Sequence, residues 1–291
     1  MLENKNIFIK KKILIYGLGK SGISSYKFLK NKNTLNIFDD NKILNQNSDI
    51  KKKLIKYNDI RNKDFDYIIL SPGININNCL LKKYLFRNLK KIRTDLDIFY
   101  SLYNKNKNIT ITGTNGKSTT VQILYEILKK QKFDVRLVGN IGNPILLEKK
   151  ITKNTIFVIE ASSYQLEYSK FFKSNFGAIL NITPDHLERH KTLKKYIEAK
   201  FKLIENQTSK DFAFLNIQDL HIKKTLKKKN IHSKVIKVNP KIDLKFLKKI
   251  NNRYFLTDGN KENLAFVIEI LKKFNINKKI FIKTLKKFHG L

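Results

Sequence analysis

The chain has 291 residues, 41% of them hydrophobic, which is long enough to bury a sizeable core and longer than one usual domain; its single cysteine, Cys79, excludes a disulfide framework and a cysteine-based metal cluster. Sixty lysine and arginine residues against 24 acidic ones give a formal charge of +36, which first suggests nucleic acid or an anionic membrane surface. The lysines are scattered over nearly every segment beside asparagine and isoleucine, as AT-rich codon usage produces, whereas a nucleic-acid footprint concentrates cations on one stripe; the expectation is no specific nucleic-acid partner and only salt-sensitive sticking to polyanions.

In chain order, residues 13–16 read as a strand, 21–31 as a helix, 34–38 as a strand and 67–70 as a strand ending in Ser71-Pro72-Gly73. The first apolar run is strand-sized and leads into a Gly-rich turn, and no stretch approaches the ~18 apolar residues of a spanning helix, so neither a signal peptide nor a membrane segment is expected and the reading is cytoplasmic. The turn itself, Gly17-Leu18-Gly19-Lys20-Ser21-Gly22, with Asp39 and Asp40 about twenty residues on, fits the dinucleotide-binding fingerprint. That pattern alone is weak, and it leaves an NAD-dependent dehydrogenase open.

A second unit begins near Asp95, with strands expected at 108–112, 135–138, 155–160, 177–181 and 212–216 and helices at 118–130, 193–206, 264–274 and 278–288. Alternation of strand and helix implies parallel sheets with helices on their faces, hence an α/β chain of two domains, 1–95 and 96–291.

Residues 109–120 read ITITGTNGKSTT: a β-branched strand, then Gly113, Thr114, Asn115, Gly116, Lys117, Ser118 and Thr119, then an apolar-periodic helix. Glycines let successive N–H groups turn toward phosphate oxygens, and the helix N-terminus adds partial positive charge. In such a loop Lys117 neutralises the β- and γ-phosphates and the Ser118 hydroxyl ligates Mg²⁺. The first glycine of the general phosphate-loop pattern is replaced by Ile111, so this is a shortened variant.

Two later strand ends carry polar residues that a core strand would not choose: Glu160 with Ser162, Ser163, Tyr164 and Gln165, and Asn181 with Asp185, His186 and His190. Carboxyl ends of parallel strands face the ligand crevice. Glu160 there suits Mg²⁺, which prefers carboxylate oxygens. Lone histidines are more often structural, and Mg²⁺ matches imidazole poorly on hardness grounds. Lys200, by itself, reads as part of a solvated helix face.

The loop GTNGKST resembles that of the Mur ligases and the related folylpolyglutamate synthases, which activate a carboxylate by phosphorylating it. ExSSYQLE and NITPDHLERH look like the D-glutamate-adding branch of the Mur ligases, whose sister enzymes carry other side chains after the paired serines. The resemblance implies a Rossmann-like N-terminal domain followed by a phosphate-loop ATP-binding domain. It implies ATP-dependent addition of D-glutamate to UDP-N-acetylmuramoyl-L-alanine through an acyl phosphate, in peptidoglycan precursor synthesis. It makes Glu160 and His186 magnesium ligands, and Lys200, in Tyr-x-x-Ala-Lys, a carbamylated ligand of a second magnesium; Lys117, His186 and Lys200 form the catalytic group. Ser21, Asp39, Ser71 and Gly73 would contact uridine and diphosphate, Asn140 the muramoyl region, and Ser162 and His186 the substrate, while Asn260 and Asn263 would lie on the nucleotide side.

Two departures stand out. The family usually carries a histidine just before the first of those asparagines, where this chain has Gly259. The ending Phe288-His289-Gly290-Leu291 resembles the hinge before a third domain, so the chain by itself is expected to lack the amino-acid site, and a non-catalytic remnant that still binds UDP-sugar or ATP is the alternative reading.

Overall fold

The computed structural model describes residues 7–41 and 48–291. The chain divides into two compact units: Met1–Asn104 with Pro144–Lys149 and Tyr164–Phe172, and Lys105–Asn143 with Lys150–Ser163 and Lys173–Leu291.

The first unit is built on a four-stranded parallel sheet, order β2-β1-β3-β4, from β1 (Lys12–Tyr16), β2 (Thr34–Phe38), β3 (Tyr67–Leu70) and β4 (Ile92–Arg93). Ile13, Leu14, Ile15 and Tyr16 are all fully buried, which is why β1 reads as an unbroken apolar run. The helix Lys20–Leu29 returns the chain to β2 and packs so closely that a Cβ on Gly22 would lie 1.8 Å from the Gly17 carbonyl oxygen.

The fully buried carboxylate of Asp97 ties a later segment into this unit. It closes a capping box with Thr94 at the head of the helix Asp95–Tyr103. Its Oδ1 also accepts from the Ser169 hydroxyl at 2.9 Å and from the backbone N–H groups of Lys170, Phe171 and Phe172 at 2.9, 3.0 and 3.1 Å. Hydrogen bonds to a charged acceptor are worth about 1.5–3 kcal/mol each, and a donor left unmet costs its desolvation. Asp97→Ala is therefore expected to cost at least ~3 kcal/mol in chemical denaturation; an unchanged midpoint would mean that those donors find other acceptors.

The second unit carries a six-stranded parallel sheet, order β10-β9-β8-β5-β7-β6, from β5 (Asn108–Thr112), β6 (Val135–Gly139), β7 (Ile156–Glu160), β8 (Phe176–Ile179), β9 (Phe212–Asn216) and β10 (Lys234–Val238). On one face Phe176 and Ala178 of β8 join the cluster of Val121, Leu124, Leu264, Val267 and Leu285, contributed by the helices Lys117–Lys130, Asp258–Leu271 and Lys278–Lys286. On the other face Gly177 leaves room for the helix Leu193–Glu205, whose Leu203 and Ile204 would meet a Cβ there at 3.3 and 3.2 Å. The parallel α/β architecture expected from the sequence is what is found.

Differences from the sequence reading have local causes. β8 stops at Ile179 rather than at 181, because Leu180 and Asn181 turn out to meet the loop after β5. The helix expected from Leu264 begins at Asp258, capped by the Thr257 side chain; its first turn is polar and hides from apolar periodicity. β10, an edge strand with only Val238 buried, escaped notice for the same reason. Among the described residues no helix is long and apolar enough to cross a membrane.

Candidate active site

β5 is hydrogen-bonded to β7 on one side and to β8 on the other, with Ile111 opposite Glu160 and Thr112 opposite Ile179. Loops leaving three adjacent strands at one sheet edge therefore converge, as expected where successive connections leave the sheet in opposite directions. The loop after β5 is braced from β8: Thr114 N–H donates to the Asn181 carbonyl at 2.9 Å, Asn115 N–H donates to Asn181 Oδ1 at 2.8 Å, and Asn181 Nδ2 donates back to the Asn115 carbonyl at 3.2 Å. Asn181 Nδ2 also donates to Glu262 Oε1 at 2.9 Å, and burial pushes the Glu262 carboxyl up from its usual range.

At Gly116 the backbone is left-handed, φ +84°, and opens the helix Lys117–Lys130. A Cβ there would fall 2.0 Å from Asn263 Oδ1, so the helix Asp258–Leu271 closes directly on the loop through Asn263, a buried residue. Asn260, a turn earlier, donates its Nδ2 to the Tyr254 carbonyl at 2.8 Å, and the Tyr254 hydroxyl lies 3.5 Å from Thr119 Oγ1.

Lys117 Nζ curls back to donate to the carbonyls of Gly113 at 2.9 Å and Thr114 at 2.7 Å. Burial pushes its pKa down, opposed by the charges of Glu160 and Asp185. Glu160, 1% exposed, accepts from the Ser118 hydroxyl on Oε2 and from Asn140 Nδ2 on Oε1, each at 2.7 Å. Lys200 is equally buried; its Nζ donates to the Gly113 carbonyl at 2.7 Å and lies 4.5 Å from the Tyr196 ring centroid. Burial first, and then the Lys117 ammonium, push its pKa down to about 7, against the pull of Asp185.

The structure thus gathers Gly113, Thr114, Asn115, Gly116, Lys117, Ser118, Thr119, Asn140, Glu160, Lys200, Asn260 and Asn263 on one edge of the second unit. His186 sits beside this group: its backbone is left-handed, φ 53°, its ring is 6.4 Å from that of Tyr196, and its nitrogens face Asp185 at 3.4 Å and Glu188 at 3.7 Å. Ser162 is half-buried two residues beyond Glu160. In the first unit, Ser71 Oγ donates to the Gly17 carbonyl at 2.7 Å, Asp39 accepts from Leu18 N–H at 2.6 Å and Ser21 donates to buried Asp95, while Gly73 is exposed beyond β3. Those residues share the carboxyl edge of that sheet.

Magnesium can be tested against the donors present. Among the described residues no three histidine, cysteine or acidic side chains converge on one metal position. Glu160 Oε2 and Ser118 Oγ are 2.7 Å apart, close to the ~2.9 Å edge of an octahedron with 2.0–2.1 Å bonds, and a cation with one or two protein oxygens and several waters is the habit of magnesium at phosphate sites. The two oxygens fit.

Sequence reasoning missed several participants. Glu262 acts on the loop through Asn181, and no motif singles it out; Asn181 and Asp185 stand in a run the sequence marks, but without the bracing and charge roles they have here; Asp95 accepts from Ser21 and Gln165. Tyr196 was legible in principle, since it stands four residues before Lys200 on one helix face; its hydroxyl lies 3.1 Å from Thr114 Oγ1 and its ring contacts both His186 and His190. His190 is buried with Nε2 3.0 Å from Ser163 Oγ, and burial, ahead of Arg189, His186 and Lys200, pushes its pKa down to about 4. Between that value and the ordinary 6.5 the unfolded chain binds a proton that the folded chain does not, so stability rises with pH through this window and is lost on acidification. His190→Gln should remove roughly 3 kcal/mol of that dependence, read as the difference in denaturation midpoint between the two proteins from pH 4 to 6.5; parallel curves would refute it.

Comparison with known proteins matches residues 111–278 to the Mur ligase middle domain and residues 11–92 to the MurD-like N-terminal domain of the Mur ligases. A curated relative, the UDP-N-acetylmuramoylalanine–D-glutamate ligase of Rickettsia prowazekii, is 40% identical over 225 residues, 75% of this chain and 49% of the relative. The chain spans about half the length of the curated relatives it matches. Among solved structures, the UDP-N-acetylmuramate:L-alanyl-gamma-D-glutamyl-meso-diaminopimelate ligase of Neisseria meningitidis shares the fold with TM-score 0.62 at 13% identity, covering 97% of this chain and 99% of that one. The MurF ligase of Thermotoga maritima in complex with ADP does so with TM-score 0.51 at 14% identity, covering 99% of this chain and 68% of that one. With one family model spanning more than half of the residues, and spanning the phosphate loop together with its acidic partner, the chain belongs to the Mur ligase family.

Proposed function

We propose that this chain carries the ATP and UDP-sugar sites of an acid–amino-acid ligase that joins D-glutamate to UDP-N-acetylmuramoyl-L-alanine during cytoplasmic synthesis of peptidoglycan precursors. The observation that carries the reading is the pairing of Ser118 with Glu160 at the mouth of a glycine-lysine loop. The names of the curated relatives supply the substrate class. In this division of labour residues 1–95 take the UDP part through Ser21, Asp39, Ser71 and Gly73, and residues 96–291 take ATP.

The chemistry asks little of the protein beyond placement and charge. With the Thr114 and Asn115 N–H groups taken up by Asn181, the backbone N–H groups from Gly116 to Thr119, at the start of the following helix, receive the triphosphate. Lys117, already turned toward the loop carbonyls, exchanges them for β- and γ-phosphate oxygens. The alanyl carboxylate of the UDP-sugar attacks the γ-phosphorus and ADP leaves; the amine of D-glutamate then attacks the acyl carbon and phosphate leaves, giving an amide. When bound, magnesium on Ser118 and Glu160 would neutralise the phosphate charge that builds up during transfer. Asn140 holds Glu160 oriented. Asn260 and Asn263 lie on the nucleotide side, and His186 and Ser162 on the acceptor side.

Lys200 as a carbamate is part of this proposal. Burial that lowers the Lys200 pKa to about 7 raises the share of free amine, the form that reacts with CO₂, and the product is a carboxylate-like oxygen donor beside the loop. Incubation with ¹³C-bicarbonate should give one carbamate resonance that is absent in Lys200→Arg; an identical spectrum for both proteins would remove Lys200 from the metal set. The overall reading is tested by supplying MgATP and UDP-N-acetylmuramoyl-L-alanine and adding D-glutamate. Saturable binding of both MgATP and the UDP-sugar, read by calorimetry, is expected whether or not D-glutamate is added, and a chain that does not bind the UDP-sugar would overturn the assignment.

A further inference from the structure

The first unit contains a small basic pocket that the ligase chemistry does not use. It has a volume of about 280 Å³ and is lined by Tyr57, Arg61, Lys83, Tyr84 and Arg87. Two short helices supply it, Tyr57–Arg61 and Lys82–Arg87. It lies toward the amino ends of the strands, because the Tyr84 hydroxyl donates to the Lys63 carbonyl at 3.2 Å, four residues before β3 begins. Ser21, Asp39, Ser71 and Gly73 are at the opposite, carboxyl end of the same sheet.

Composition makes the pocket unusual. Of the 60 basic residues only six are arginine, Arg61, Arg87, Arg93, Arg136, Arg189 and Arg253. A chain that uses lysine for nearly every cation places two of its few guanidinium groups around one cavity. What arginine offers over lysine is a planar fork of donors that binds phosphate or carboxylate oxygens in pairs. Arg61 is held ready for this: its guanidinium lies 4.6 Å from the Tyr57 ring centroid and donates to the Tyr57 hydroxyl, one helical turn earlier. Among the described residues no carboxylate lines the pocket, and Asp64, which acts on Tyr84 from outside the lining, is paired with Lys91, so three cations face the pocket with no opposite charge among its lining side chains. The half-buried Tyr84 ring, fixed by its hydroxyl, adds a surface on which a planar group can stack.

We propose that Arg61, Lys83 and Arg87, with Tyr57 and Tyr84, form a second anion site that accepts the phosphate of a small phosphorylated molecule. The cavity is near the lower size limit of small-ligand pockets, which suits a mononucleotide or a short polyphosphate rather than a larger ligand.

The sequence contains no tryptophan, so Tyr84→Trp places the sole indole in the pocket and its fluorescence reports this site alone, whatever the phosphate loop binds. Titration with pyrophosphate, and separately with UMP, should give a saturable change. Tighter binding of UMP would assign a stacked ring beside the phosphate, and tighter binding of pyrophosphate a purely ionic site. Adding Arg61→Gln and Arg87→Gln should weaken the binding at least tenfold, while the charge-matched pair Lys27→Gln and Lys32→Gln, on exposed lysines, should leave it within twofold. A linear, unsaturable response to both probes, or equal weakening in the two backgrounds, would overturn the proposal and assign the effect to net charge. Arginine modification of the unaltered chain by phenylglyoxal gives a second reading that needs no variant to fold. Pyrophosphate should protect Arg61 and Arg87 ahead of Arg253, and uniform protection would count against the site.

Discussion

Gly116→Ala is expected to unmake the phosphate loop. Two costs add at this position. A side chain at φ +84° is strained by about 1–2 kcal/mol, and a Cβ placed 2.0 Å from the buried Asn263 amide forces that side chain to move, an overpacking cost of about 1–3 kcal/mol. Calorimetry should show ATP binding reduced by on the order of 10²-fold, since loop N–H groups displaced by an ångström no longer meet their phosphate oxygens. A double-mutant cycle separates the two terms. In Gly116→Ala/Asn263→Ala the steric part should be recovered as a coupling energy, while the backbone strain should persist. Full binding by the single variant would mean that the loop does not receive phosphate through this turn.

The second large effect is expected at Glu160. Glu160→Gln keeps size and shape but removes the charge, and it presents an NH₂ to one of two groups, Ser118 Oγ and Asn140 Nδ2, that now both donate to it. The buried Lys117 ammonium loses a compensating charge at the same time. Turnover should fall on the order of 10²–10³-fold, and the improvement in ATP affinity that magnesium gives should largely disappear. ATP affinity measured with and without magnesium is the decisive pair. If the ratio stays that of the unaltered protein, Glu160 does not hold the metal.

Much of this site could be read from residue order. The loop from Gly113 to Thr119 and the acidic end of β7 announce themselves because strand, turn and helix follow one another locally, and each turn carries the residue types its chemistry needs. The supports of the site could not be read this way. Asn181 looks like the last residue of a strand until β8 is seen to pair with β5 and to place it against Asn115. Glu262 looks like a surface residue of a helix whose polar first turn concealed its beginning, yet it is half-buried and accepts from Asn181 and Asn216. Lys200 is one of a great many lysines; the resemblance in Tyr-x-x-Ala-Lys picks it out, but the physical reason, its burial against the Gly113 carbonyl, is visible only in the fold. Contacts across dozens of residues of chain decide these roles, and no periodicity records them.

Asp97 has a consequence for how the protein is made. Beyond the Thr94 N–H, the hydroxyl and amide groups that satisfy its carboxylate belong to residues 169–172, so a nascent chain whose first 104 residues have left the ribosome still carries a carboxylate short of most of its donors. Most of the second unit's first strands must be synthesised before that acceptor finds its donors. Separating the units by a cut after Asn104 would strand the same carboxylate, and the amino-terminal fragment should stay loosely packed until a peptide carrying residues 164–172 is returned to it.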